Sequence, residues 1–179
     1  MARSRAFVWA DLHLGHQRVC EFLDDEGRKI RPFATAEEMD EALVEANNAV
    51  VRPGDRVYIA GDVAISRHAL PTLARMHGDK VLIKGNHDIH KLKDYLPYFD
   101  DIRAYVVLPK ARVVISHIPV HPGSVERWVG NIHGHLHQRR VLLPDGQPDP
   151  RYLCVSVEHT GYAPLLLDEA IARLKAQQA

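Results

Sequence analysis

The chain has 179 residues and a formal net charge of zero, with 23 Lys and Arg residues against 23 Asp and Glu residues. This balance argues against a dedicated nucleic-acid-binding protein, which usually carries a strongly basic face. The length suits one well-packed domain and is too short for two, so we expect a single domain over residues 1–179. No apolar run approaches the about 20 residues of a membrane span, and the run at 6–10 is too short for a secretory signal. We therefore expect a cytoplasmic protein without a membrane partner.

Short apolar runs beside turn residues predict buried strands at 6–10, 57–60 and 81–84. Between the first two, Thr35 is predicted to cap a helix, and Glu38 three residues later completes a capping box. The predicted apolar stripe of this helix consists of Met39, Leu43, Ala46 and Val50.

A second helix is predicted to begin near Pro71, which suits the first turn, and to end at Gly78. Strands are predicted at 104–108 and 112–116, and beyond residue 130 the pattern is mostly extended, with strands at 131–133, 139–143 and 151–157. Asp168 is predicted to cap a closing helix. Strands that alternate with helices first and dominate later predict a layered α/β fold.

Polar residues follow the predicted strands where these strands end. In chain order they are Asp11 and His13, Asp62, Asn86 and His87, His117, and His135 and His137. In open α/β sheets, sites form at the carboxyl ends of strands, where loops converge. If the segment stays extended, alternation also places His133 on the same side as His135 and His137. Each signal is weak alone, but the ordered set of carboxylates, imidazoles and one amide predicts a metal-rich cleft.

Five motifs carry a family resemblance. They are Asp11-x-His13, Gly61-Asp62, Gly85-Asn86-His87-Asp88, His117 and Gly134-His135-x-His137. In this order they resemble the motifs of the calcineurin-like metallophosphoesterase superfamily. The short length, together with Arg31-Pro32-Phe33 and Glu158-His159-Thr160-Gly161-Tyr162, is similar to a small bacterial or phage-type branch. The resemblance implies an enzyme with an α/β fold, in which two mixed β-sheets form a sandwich flanked by helices.

The resemblance also implies a role for each motif residue. Asp11, His13 and His137 would bind one divalent metal ion, Asn86, His117 and His135 would bind a second, and Asp62 would bridge the two. His87 would bind neither ion and would act as the catalytic acid. A phosphomonoester or phosphodiester would be hydrolysed by a hydroxide that bridges the ions. Donors of this kind without thiolates favour Mn, Fe, Ni or Zn over Ca or Mg, and among these four we favour Mn.

Several residues near the motifs keep two interpretations. His121 competes with His117 for the fourth motif, and we prefer His117 because it directly follows an apolar run. His16 and His133 either contact substrate or fill space. Arg31 is either a phosphate clamp or half of a surface salt bridge.

Asp88 either orients the ring of His87 or caps the loop that carries it. The chain lacks the extended signatures of the Ser/Thr protein phosphatases, so we expect a small phosphate ester as substrate, with a nucleotide as one candidate. Nucleic acid is less favoured because the net charge is zero.

Two alternative functions stay open beside a small-molecule hydrolase, namely a nuclease and a non-catalytic interaction scaffold of the same fold. A scaffold need not retain both Asn86 and His87, whereas this chain has both. A structural single-metal site is a third reading, but such sites are usually closed cages of four ligands. Seven candidate ligands without a suitable cysteine favour two open metal sites.

Overall fold

Nine strands form two mixed sheets within residues 4–178, the part of the chain that the computed structural model describes. The first sheet has the order β4-β3-β2-β1-β9, with β1 at Ala6–Trp9, β2 at Arg56–Ile59, β3 at Asp79–Ile83, β4 at Asp101–Arg103 and β9 at Leu165–Leu166. Strands β1 to β4 run parallel, and β9 pairs antiparallel with β1. Parallel strands place their carboxyl ends at one edge, so the loops after β1, β2 and β3 are neighbours.

The second sheet has the order β5-β6-β7-β8, with β5 at Tyr105–Leu108, β6 at Val113–Ser116, β7 at Gly130–His133 and β8 at Tyr152–Cys154. Strands β6, β7 and β8 are parallel, and β5 is antiparallel to β6. A parallel bridge between Ala10 and Ser156 joins the carboxyl ends of β1 and β8. This bridge brings the carboxyl edges of the two sheets together.

Helices cover the sheets. They are α1 at Ala36–Val50, α2 at Leu92–Tyr95, α3 at Pro122–Val125, α4 at Val157–Thr160 and α5 at Leu167–Ala176, with 3₁₀ segments at Gln17–Cys20 and Arg67–Arg75. No helix within residues 4–178 combines the length and apolarity that a membrane crossing requires.

Two apolar cores hold these layers together. Trp9 and Ile59 of the first sheet pack with Leu43 of α1 in one core. Val8 of the first sheet and Ile132 of the second lie in the other core, which also includes side chains of α5. Parallel strands buried on both faces read as continuous apolar runs, which is why the sequence located them. The predicted fold of two mixed sheets flanked by helices is confirmed.

Helix α1 begins as predicted. The Thr35 hydroxyl accepts a hydrogen bond from the Glu38 backbone N–H at 3.1 Å, and the Glu38 carboxylate accepts one from the Ala34 N–H at 2.7 Å. The predicted apolar stripe was wrong at its end, because Val50 is exposed and Val44 and Asn47 are buried instead. Positions spaced on a seven-residue repeat gradually rotate around a helix of 3.6 residues per turn. The residues that face the core therefore change along the helix.

Other element predictions were wrong in detail. The second helix is a 3₁₀ segment at Arg67–Arg75, which begins after Ser66 with Pro71 inside it and ends before the predicted Gly78. Residues 139–143 form no strand and make only a bridge between Leu142 and Pro148. Helix α5 is preceded by Leu166, so Asp168 lies in its first turn and does not cap it.

Candidate metal centre

The loops after the strands meet at the shared carboxyl edge. The Asp11 N–H donates to Gly61 O at 3.0 Å and the His13 N–H to Asp62 O at 2.9 Å, which joins the loops after β1 and β2. Across the two sheets, the backbone N–H of His135 donates to the Asp11 carboxylate at 2.9 Å. All seven side chains predicted as metal ligands lie in these adjoining loops.

One group of donors consists of Asp11, His13 and His137, whose ligand atoms lie within 4.8 Å of one another. The rings of His13 and His137 are stacked, with centroids 5.1 Å apart and an angle of 22° between the planes. Asp11 and His13 are buried, and His137 is half-buried. This is the set that the family resemblance assigns to the first ion.

A second group of donors surrounds His117. Its Nε2 lies 2.8 Å from Asn86 Oδ1, and the same amide oxygen lies 2.9 Å from His135 Nδ1. The rings of His117 and His135 meet edge to face at 5.1 Å. The three residues assigned by resemblance to the second ion are therefore in mutual contact.

Asp62 lies between the two groups. Its Oδ2 is 3.8 Å from His13 Nε2 and 3.4 Å from His117 Nε2, so one carboxylate oxygen faces a proposed ligand of each ion. Asp11 also belongs to a cluster with Asp62 and His117, whose donor atoms lie within 4.8 Å of one another. Both carboxylates are thus central to the cluster.

Backbone strain is concentrated at this centre. Within residues 4–178, seven non-glycine residues have positive φ, and five of them are proposed ligands, namely Asp11, His13, Asp62, His135 and His137. Such a conformation costs of the order of 1–3 kcal/mol per residue and persists only where surrounding structure enforces it. Strain of this kind clusters at functional sites, where it aims side chains that a relaxed loop would not converge.

Two glycines allow the loops to approach so closely. A Cβ on Gly85 would lie 2.6 Å from the backbone nitrogen of Asp62, and a Cβ on Gly134 would lie 2.6 Å from the Asp11 carboxylate and 2.9 Å from Ala60 O. Any side chain at either position would push a proposed ligand away. The glycines of the third and fifth motifs are therefore steric requirements of the cluster.

The hydrogen-bond pattern fits a bound cation. The His117 Nδ1 lies 2.8 Å from Ala60 O, and because a carbonyl only accepts, this nitrogen carries the proton. In the neutral ring, Nε2 then turns a lone pair toward Asn86 Oδ1 and Asp62 Oδ2, which are acceptors too. Both ring nitrogens of buried His13 have no hydrogen-bond partner among residues 4–178. Converging lone pairs are stabilised by a positive charge, so the donor set suits a divalent metal ion.

The pKa values of Asp11 and His13 follow the same pattern, whereas that of His117 reflects its carboxylate neighbour. Burial raises the pKa of Asp11 to about 6 against the opposing effect of His137 and His117. Burial, reinforced by Arg31, holds the pKa of His13 well below its usual range, so the ring stays neutral. Burial opposes charge on His117, but the neighbouring Asp62 outweighs it and the pKa of His117 is raised. A neutral imidazole is the form that binds metal, and a buried carboxylate gains most from a nearby cation.

Arg31 has neither of its predicted roles. It is completely buried, and its guanidinium donates to Asp11 O at 2.6 Å, to Leu12 O at 2.9 Å and to the Glu158 carboxylate at 2.9 Å. A guanidinium enclosed in this way cannot clamp a phosphate, and the ion pair is not on the surface. Arg31 instead holds the strained backbone that carries Asp11.

Two contributors to the centre were given no role in the sequence analysis. Glu158 lies in α4, and its Oε1 accepts from His137 Nδ1 at 2.9 Å as well as from Arg31. This bond leaves His137 Nε2 as the ring atom available to a metal. Ser156 donates its hydroxyl to Asp11 Oδ2 at 2.6 Å. Both lie more than 100 residues from Asp11 along the chain, and neither belongs to the five motifs, although Glu158 opens the segment quoted for the branch resemblance.

His87 lies at the mouth of the centre. Its side chain is exposed, its ring is 5.6 Å from that of His13, and its backbone N–H donates to Asp62 Oδ1 at 2.8 Å. Asp88 accepts from the backbone N–H groups of Asp62, Val63 and Gly85 at 2.8–3.0 Å. Of the two interpretations of Asp88, the loop cap is the one that these contacts support.

The remaining histidines that kept two interpretations differ in whether they adjoin the centre. His121 is exposed, and its Nδ1 accepts from the Gly123 N–H at the start of α3, so it lies apart from the cluster. His133 ends β7, and its ring meets that of Tyr152 edge to face at 6.0 Å; the extended conformation on which its predicted alignment with His135 and His137 depended does not continue beyond it. The chain leaves the extended conformation after His133, because His135 and His137 have positive φ. His16 is the one open case that adjoins the centre, with its ring 5.5 Å from that of His13.

Comparison with known proteins finds relatives without an established function. No protein-family model matches the chain. An uncharacterized protein of Methanocaldococcus jannaschii, MJ1445, is 28% identical over 175 residues, which cover 94% of this chain and 90% of that protein. The gene 66 protein of Mycobacterium phage L5 is 37% identical over 91 residues, which cover 48% of this chain and 40% of that protein.

Among solved structures, the protein of unknown function AQ665 from Aquifex aeolicus is similar, with a TM-score of 0.70 and 23% identity over 93% of this chain and 97% of that one. This likeness shows a shared fold. A novel archaeal phosphodiesterase aligns with a TM-score of 0.44 and 15% identity, over 85% of this chain and 82% of that one. A predicted phosphoesterase from Streptococcus pneumoniae aligns with a TM-score of 0.38 and 16% identity, over 87% of this chain and 72% of that one. Likeness at that level implies no shared activity.

Proposed function

We propose that the protein is a dinuclear metal-dependent phosphoesterase that hydrolyses a phosphomonoester or phosphodiester bond in a small substrate, with nucleotides among the candidates. The observation that carries this proposal is the convergence of seven carboxylate, imidazole and amide donors, five of them at strained backbone positions, beside an exposed histidine that is not needed as a ligand. A purely structural metal site needs four donors and no open face. The surplus of donors supports a catalytic centre.

The donors divide between two ions in this proposal. Asp11, His13 and His137 would hold one ion, Asn86, His117 and His135 the other, and Asp62 would contact both. Bound divalent ions would supply Lewis acidity and would lower the pKa of water, so that a hydroxide nucleophile is available near neutral pH. Two carboxylates cannot neutralise two divalent ions, so the loaded centre would keep a positive charge. That charge suits a phosphate anion.

His87 is the proposed catalytic acid. Its ring is exposed at the mouth of the centre, and its backbone is held by the hydrogen bond to Asp62. It would give a proton to the departing ester oxygen, for which histidine is well suited near neutral pH. Because Asp88 binds backbone groups, the ring of His87 is oriented by its loop and not by that carboxylate.

The test is hydrolysis after reconstitution with Mn, Fe, Ni or Zn. The panel would contain bis-p-nitrophenyl phosphate, p-nitrophenyl phosphate, cyclic nucleotides and single-stranded DNA. Hydrolysis by none of the four metal forms would overturn the proposal and favour an interaction scaffold. Preference for the DNA would favour the nuclease alternative.

The sharper test uses His87→Asn, with His121→Asn as the matched control because both side chains are exposed. His87→Asn should keep its metal content and lose about 10²–10⁴-fold in turnover, whereas His121→Asn should behave like the wild type. The loss should be greater for an alkoxide leaving group than for p-nitrophenolate, which departs without a proton. Equal losses on both substrates would make the role electrostatic, and loss of metal would make His87 a ligand.

A further inference from the structure

A short loop at residues 22–31 stands beside the metal centre and has a built structure. Leu23 and Lys29 form an antiparallel bridge, and the Ile30 N–H donates to Phe22 O at 2.9 Å. The Asp24 carboxylate accepts from the backbone N–H groups of Glu26 and Arg28, both at 2.9 Å. An aspartate that closes a turn in this way limits the conformations open to the loop.

The base of this loop is tied to the centre. Arg31 is the last residue of the loop and donates to the carbonyl groups of Asp11 and Leu12. The Tyr162 hydroxyl donates to Ile30 O at 3.0 Å. The loop therefore keeps a defined position relative to Asp11.

This loop presents apolar side chains to solvent. Phe22 is 43% exposed and Leu23 is 57% exposed, although buried positions are their usual place. The cavity that they border has a volume of about 350 Å³, and its lining also includes Val19, Ile30 and Leu136. Apolar groups gathered at one concave surface commonly mark a binding site.

The cavity adjoins the metal centre, because His135 and His137 line it as well. His16 also connects the two regions, with its ring 5.5 Å from that of His13 and edge to face with Phe22 at 6.1 Å. The ester group of a phosphate held at the centre would therefore lie within reach of this cavity.

We propose that this cavity binds the organic group of the substrate, and that this group is a flat aromatic or heteroaromatic ring. The inference rests on the proposed phosphoesterase function. Phe22 supplies an aromatic face for stacking, and Asp25 and Gln138 supply polar atoms to the edge of a ring. The volume lies at the lower end of the range for small-molecule sites, about 300–1,000 Å³. A loop fixed in advance loses little entropy when a ring enters.

The direct test uses adenosine, which carries the ring but no phosphate, and so depends on neither metal nor hydrolysis. Methyl resonances of Leu23 and Leu142 would be followed by NMR, because both side chains are 57% exposed and only Leu23 borders the cavity. Adenosine should shift Leu23 and not Leu142, ribose should shift neither, and Phe22→Ala should abolish the shift. No shift at Leu23 in millimolar adenosine, or equal shifts at both leucines, would overturn the proposal.

The kinetic test compares phenyl phosphate with methyl phosphate. Phe22→Ala and Leu23→Ala should each raise KM for the phenyl ester at least about fivefold while kcat holds, and should not change KM for the methyl ester. Leu142→Ala should change neither. Unchanged KM values in both variants would overturn the cavity assignment while hydrolysis itself stands. Adenosine binding in a protein that hydrolyses no ester would instead support the cavity and refute the phosphoesterase function.

Discussion

Glu158→Gln tests whether the buried carboxylate supports the centre. Glu158 accepts one hydrogen bond from Arg31 and one from His137, and its side chain is only 4% exposed. Glutamine keeps the shape and one acceptor oxygen but removes the negative charge. The guanidinium of Arg31 would then be buried without a counter-charge, although its bonds to two backbone carbonyls remain.

The expected loss follows from these contacts. Removing one partner of a buried ion pair costs about 3–5 kcal/mol, and the two remaining carbonyl bonds place this case near 3 kcal/mol. For a chain of this size about 1 kcal/mol corresponds to about 2–4 °C, so the unfolding midpoint should fall by about 6–12 °C. Because the acceptor of the His137 Nδ1 proton loses its negative charge and orients the ring less firmly, metal affinity should also fall, by about 10–100-fold.

Thermal unfolding of the metal-free protein, followed by circular dichroism, measures the first effect, and calorimetric titration with Mn²⁺ measures the second. Glu169→Gln is the matched control, since Glu169 accepts two hydrogen bonds from Arg173 on the exposed face of α5. This change should move the midpoint by no more than about 3 °C. If both variants unfold at the same temperature, Glu158 does not stabilise the buried charge of Arg31.

Three further predictions concern the bridging carboxylate, a glycine of the third motif, and a buried carboxylate outside the centre. Asp62→Asn should lower the metal content most among the ligand variants, because Asp62 faces both donor groups, and two ions per chain by elemental analysis would contradict this. Gly85→Ala should reduce metal content and thermal stability, because its Cβ would lie 2.6 Å from the Asp62 nitrogen, whereas at Gly123 the nearest atom is 3.3 Å away and alanine should be tolerated. Burial opposes charge on Asp55, but hydrogen bonds from Arg5 and the backbone outweigh it and lower the pKa of Asp55 from 3.8 to about 2. Its stabilisation is therefore present above pH about 4 and lost toward pH 2, so Asp55→Asn should lower the unfolding midpoint at pH 7 and not near pH 2.

Local patterns in the sequence determined the strands that lead to the centre. Their apolar runs and turn residues are read over fewer than ten positions, and β1, β2, β3 and β6 lie where these patterns predicted them. The cap at Thr35 is likewise a contact between neighbours in the chain. The order of polar residues after the strands also predicted which side chains would meet, since parallel strands end at one edge. The metal-binding roles themselves stay predictions.

Only the tertiary structure decided which long-range partners support those side chains. Arg31 and Glu158 are 127 positions apart, and nothing in the local pattern of either residue indicates their pairing. The apolar run before His117 favoured it over His121, but only the packing of separate segments places His117 against Asp62 and leaves His121 facing solvent. The physical reason is that burial and hydrogen-bond partners depend on how separate segments pack, whereas hydrophobic periodicity and turn propensity act between neighbours along the chain.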